Sequence, residues 1–118
     1  MNPLQLILGD EEFLIDRATS SIIRAVRSTM QSNPEELPIT KLRAGDVTPS
    51  EISELLSPSL FAEDRVVILA AAGEAGKEAA STIEQAVKEP APGVVLIVIH
   101  SGGGRAKNLV KILKNAGA

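Results

Sequence analysis

Three observations predict an α/β fold of three layers, with helices on both faces of a mainly parallel sheet. Short β-branched or leucine-rich runs alternate with longer helical patterns four times along the 118 residues. Two of the runs, residues 65–69 and 94–99, are almost unbroken in apolar side chains, as in strands buried on both faces. The apolar content is aliphatic: 44% of residues are hydrophobic, yet only two are Phe and none is Tyr or Trp. Leu, Ile, Val and Ala must therefore fill the core.

The elements follow in order. Residues 4–8, Leu-Gln-Leu-Ile-Leu, form the first strand, and Gly9 turns the chain into a helix from Glu11 to about Met30. Leu14, Ala18, Ile22, Val26 and Met30 recur every fourth residue in it, a stripe expected to face the core. Asn33-Pro34 ends that helix, because proline and the residue before it disfavour continuation. Residues 39–43 read as a short second strand. Thr48 then caps a helix with Pro49 in its first turn and Glu51 three residues after the cap. Ile52, Leu55 and Leu56 are its apolar positions, and it stops near Ser57-Pro58. After the third strand a helix runs from Gly76 to about Lys88 with Ala80, Ile83 and Val87 on one side. Glu89-Pro90-Ala91-Pro92-Gly93 is a rigid connector to the fourth strand. Ser101-Gly102-Gly103-Gly104 leads into a last helix, residues 105–115, with Leu109, Val110 and Leu113 apolar. The length suits one domain, 1–118, and a doubly wound sheet usually has five or more strands, so this reads as the first domain of a longer protein.

Composition excludes several classes. The absence of cysteine removes disulfides, thiolate metal sites and cysteine nucleophiles. A net charge of −3 gives no global attraction to nucleic acid or to an anionic membrane. No apolar run approaches the roughly 20 residues of a membrane helix, and the N-terminus lacks the pattern of a signal peptide. A soluble cytoplasmic domain, with no membrane contact, is expected.

The turn after the first strand stands where a nucleotide-binding α/β domain places G-x-x-x-x-G-K-[ST], whose backbone N–H groups and lysine cradle phosphates. Here it reads Gly9-Asp10-Glu11-Glu12-Phe13-Leu14-Ile15-Asp16-Arg17, with no second glycine, no lysine and four carboxylates. Its charge repels a polyphosphate. Nucleotide hydrolysis also needs acids at the end of the third strand to hold Mg²⁺, and Ala70-Ala71-Ala72-Gly73 occupies that place. A phospho-acceptor receiver domain fails for the same reason, since it needs an aspartate there. Neither a cofactor nor a metal nor a catalytic residue is expected.

The remaining candidates each have a plain alternative. His100, the only histidine, follows the fourth strand, a favoured place for ligands, and without a catalytic partner reads first as a loop histidine. Ser101 to Gly104 could form an anion-binding nest or serve only to turn strand into helix. Arg105, Lys107, Lys111 and Lys114 make the last helix basic, a solvated face or a weak contact with DNA or an acidic neighbour. The segment Leu56 to Arg65 is the best site candidate. Leu60 and Phe61 are adjacent between a proline-broken helix end and a strand start, where connections run on the surface. The pair either plugs a partner's pocket or folds back over the sheet edge.

The chain resembles the delta subunit of the bacterial DNA polymerase III clamp loader. The resemblance is carried by Leu6-Ile7-Leu8-Gly9-Asp10-Glu11-Glu12-Phe13-Leu14, by Ser57-Pro58-Ser59-Leu60-Phe61-Ala62-Glu63-Asp64-Arg65 with the strand after it, and by the strand before Ser101-Gly102-Gly103-Gly104-Arg105-Ala106-Lys107. It implies an N-terminal AAA+-like (RecA-like, P-loop NTPase-like) domain without functional nucleotide motifs. It implies that Leu60 and Phe61 enter a hydrophobic pocket on the sliding clamp, the beta subunit, and help open the ring at the replication fork. Ser59 and Arg65 would be minor contacts, and other loader subunits would be met through further domains. The rival reading is a nucleotide- or phosphate-binding α/β enzyme with a degenerate loop.

Overall fold

The computed structural model describes residues 4–29, 38–56, 65–88, 93–104 and 108–117. Four strands, β1 (Leu4–Leu8), β2 (Ile39–Arg43), β3 (Arg65–Ala70) and β4 (Val94–His100), alternate with four helices. The helices are α1 (Glu12–Thr29), α2 (Pro49–Leu55), α3 (Lys77–Lys88) and α4 (Leu109–Asn115). Two short 3₁₀ turns, Ala44–Asp46 and Ala72–Glu74, follow β2 and β3. The sheet is wholly parallel among the described strands, in the order β1-β4-β3-β2. This is the three-layer α/β arrangement that the alternation of runs implies.

Chain path explains the layers. From β1 at one edge the chain crosses to β2 at the other, then returns through β3 to β4. Right-handed crossovers made in opposite directions place their helices on opposite faces of a sheet. α1, on the outward crossing, thus packs alone through Ile15, Ile22, Ile23 and Val26 against Ile7, Val66, Ile68, Ile97 and Ile99. The helices of the return, with α4, close the other face: Ile52, Ala79, Ile83, Val87, Leu109 and Leu113 cluster with Leu4, Val67, Leu69, Leu96 and Val98. Successive residues of β3 serve opposite faces, Val66 and Ile68 one, Val67 and Leu69 the other. That is why the strand reads as a continuous apolar run rather than an alternating one.

Local chemistry sets the element ends. The Thr48 hydroxyl accepts the Glu51 N–H at 3.2 Å, and the Glu51 carboxylate accepts the Thr48 N–H at 3.2 Å. With Pro49 in the first turn, this reciprocal box starts α2 where the sequence places it. Just past the end of α4 stands Gly117, whose φ of +97° suits glycine, with its N–H bonded to the Lys114 carbonyl.

Two expectations need correction. Leu14 was expected at the head of α1's core stripe, but it is 59% exposed, and the buried side begins at Ile15. A four-residue step overshoots a full turn by about 40°, so a long i+4 row drifts around the helix. The sheet takes the end of the row near Val26 and releases the end near Leu14. His100, expected in a loop, is the last residue of β4, paired with Leu8 and fully buried. β4 continues one residue further because β1 supplies a partner there.

Candidate functional site

The carboxyl ends of the strands, the usual ligand edge of an open parallel sheet, enclose a cleft of about 450 Å³. Gly9, Asp10, Glu12 and Asp16 line it from the β1–α1 turn, Lys41 from β2, Ala71 and Glu74 from the turn after β3, and Ser101 and Gly103 from beyond β4. This is where a phosphate loop would sit. Four carboxylates and one lysine line it, and Glu74 is paired with Arg43, so the lining stays net acidic.

Each wall has a physical basis. The Gly9 N–H donates to the His100 carbonyl at 2.9 Å, extending the β1–β4 pairing just past the last strand residue. No atom lies within 4 Å of a Cβ built on Gly9, so crowding does not require glycine there. After β3, Ala71 has a left-handed backbone with φ of +52°, and it turns the chain into the 3₁₀ segment Ala72–Glu74. Glu74 receives a forked pair from Arg43, Nε to Oε2 at 3.0 Å and Nη2 to Oε1 at 2.7 Å. The Glu74 carboxylate, by hydrogen bond and then by charge, raises the already high pKa of Arg43. Both side chains are at least half exposed, so the pair ties the β2 and β3 ends together without contributing much stability.

Beneath the cleft, Gly73 and Gly104 meet backbone to backbone. A Cβ on Gly73 would collide with the Gly103 carbonyl, and one on Gly104 with the Gly73 carbonyl. Among the described residues, no three His, Asp or Glu side chains are grouped to hold a metal ion.

Leu60, Phe61 and Ser59 lie outside the described residues, as do Arg105 and Lys107. The next described residue after Leu60 and Phe61, Arg65, begins β3 at the end of the sheet opposite the cleft. Arg65 opens β3 half-buried, with its N–H bonded to the Gly93 carbonyl at 2.8 Å. Lys111 and Lys114 are exposed on α4. Sequence reasoning missed an exposed apolar pair, Phe13 and Leu14 on α1, at 67% and 59%. The signal was available: Ile15, Ile22 and Val26 define a face that leaves both out. No helix among the described residues is long and apolar enough to cross a membrane.

The family described as DNA polymerase III, delta subunit, matches residues 6–118, nearly the whole chain. The chain belongs to that family. Its fold is similar to the DNA clamp loader delta protein of Bacillus subtilis, with a TM-score of 0.69 and 22% identity, over 98% of this chain and 37% of that one. It is also similar to a gamma-subunit-related protein of DNA polymerase III from Thermotoga maritima, with a TM-score of 0.50 and 18% identity, over 96% of this chain and 38% of that one. The chain thus spans little more than a third of the length of these structures. No curated protein sequence matches it significantly. Family and fold together make this a domain of the DNA polymerase III delta-subunit family with a three-layer α/β fold.

Proposed function

We propose that these 118 residues are the N-terminal, clamp-engaging domain of a longer delta-type clamp-loader subunit, acting by binding rather than catalysis. The observation that carries the reading is family membership across residues 6–118, which includes the Leu60–Phe61 corner. Leu60 and Phe61 enter an apolar pocket on the sliding clamp, with Ser59 and Arg65 at its rim. Burying two such side chains contributes on the order of 3–6 kcal/mol, enough for a binding hot spot. Ring opening follows only if the domain binds the open clamp more tightly than the closed one, because a ligand shifts an equilibrium by its differential affinity. The acidic cleft supports assigning ATP use to other loader subunits. Those subunits, met through further domains of the protein, are the remaining partners, in the cytoplasm at the replication fork.

The test is a Leu60→Ala/Phe61→Ala double variant, checked for unchanged circular dichroism and titrated against the cognate clamp. The expected result is a loss of affinity of about 100-fold or more. Undiminished binding by the folded variant overturns the assignment. Calorimetry with ATP and Mg²⁺ addresses the nucleotide-enzyme reading separately, and micromolar binding there would favour it.

A further inference from the structure

His100 is the one fully buried polar side chain among the described residues, and nothing in the clamp-binding reading uses it. Its Nδ1 accepts the Gly102 N–H at 2.8 Å. A backbone donor facing Nδ1 requires that nitrogen to be unprotonated, so the imidazole proton sits on Nε2. The bond spans two residues, the geometry in which an Asx side chain closes a turn on its own backbone. It stands at the start of a loop with two left-handed glycines, Gly102 at φ +96° and Gly104 at φ +81°.

That loop has a second restraint. Gly104 lies against the Gly73 backbone so closely that neither position leaves room for a Cβ. Gly73 also approaches the imidazole: a Cβ built on it would stand 3.4 Å from Cε1. One ring therefore bonds the loop after β4 and stands beside the turn after β3. We propose that His100 is a latch, a positioning residue that fixes residues 101–104 so that the ends of β3 and β4 are tied together under the cleft. With the latch made, Gly73 and Gly103 form a fixed floor to the cleft. With it broken, the loop after β4 moves independently of the turn after β3.

Amide hydrogen exchange of the intact 118-residue chain tests this. His100→Asn keeps a side-chain acceptor for the Gly102 N–H, whereas His100→Leu removes it. In His100→Leu the Gly102 amide, which donates to the ring, and the Glu74 and Ala75 amides, which donate to the Ala71 and Ala72 carbonyls, should exchange about tenfold faster, with β1 and α3 unchanged. In His100→Asn the Gly102 amide should retain near wild-type protection. Equal exchange in both variants would overturn the latch, because filling the space, not accepting the bond, would then be the role of the ring. Should His100→Leu fail to fold, His100→Gln, whose longer arm misplaces the acceptor, takes its place in the comparison. Gly104→Ala breaks the junction from the other side. It should release the Glu74 and Ala75 amides while Gly102 stays protected, and joint loss of protection at Gly102 would refute the order of dependence.

Discussion

The two faces of this sheet are closed to different degrees. Under α2, α3 and α4, Ile52, Ile83, Leu109 and Leu113 are all sealed from solvent. Under α1, Val26 is the only buried helix side chain among the described residues, and Ile15, Ile22 and Ile23 are partly buried. Both helix layers pack on the same strands, so strand chemistry is not the cause. The cause is the path of the chain: one outward crossing leaves one helix to cover a whole face, while the return crowds its helices onto the other. Burial in this domain is thus apportioned by topology before any side chain is chosen.

Substitutions of like chemistry should expose that inequality. Ile83→Ala, in the sealed layer, should cost the most, about 2–5 kcal/mol in denaturant unfolding, since neighbours from α2, α4 and the sheet cannot all collapse into the space. Val26→Ala, in the single-helix layer, should cost about 1–2 kcal/mol, because fewer atoms are lost and solvent is nearer. A Val26→Ala penalty equal to that of Ile83→Ala would break the comparison. Phe13→Ser marks the other limit. With two thirds of its surface already exposed, it should move stability by no more than about 0.5 kcal/mol. A larger loss would mean that Phe13 packs in solution and that α1 covers more of its face.

How much of this was legible in the sequence differs by element. β3 and β4 were, because burial on both faces leaves no position for a polar residue and the run itself is the signal. The start of α2 was, because Thr48, Pro49 and Glu51 each satisfy a separate requirement of a helix N-terminus. The face of α1 was misjudged at Leu14, where an i+4 row was followed further than helical geometry allows. Strand order was not legible, since four apolar runs fit several sequences of crossovers. At the candidate sites, the missing phosphate loop was plain from charge and glycine count. The Gly73–Gly104 contact was not, since a glycine needed for close approach reads the same as one that merely turns the chain. The Leu60–Phe61 pair, singled out by the adjacency of two large apolar residues in a connection, lies outside the described residues.

The register of β1 carries a last consequence. Leu4 pairs with Leu96 and Leu8 with His100, so the first strand has its hydrogen-bonding partner about 90 residues later. On a ribosome adding about 5–20 residues per second, β1 emerges several seconds before β4 exists to receive it. Through that interval an apolar, uncharged pentapeptide has no strand to pair with. The interval before β4 emerges and slides between β1 and β3 is therefore when this domain is most exposed to mispairing, and when a chaperone would matter most.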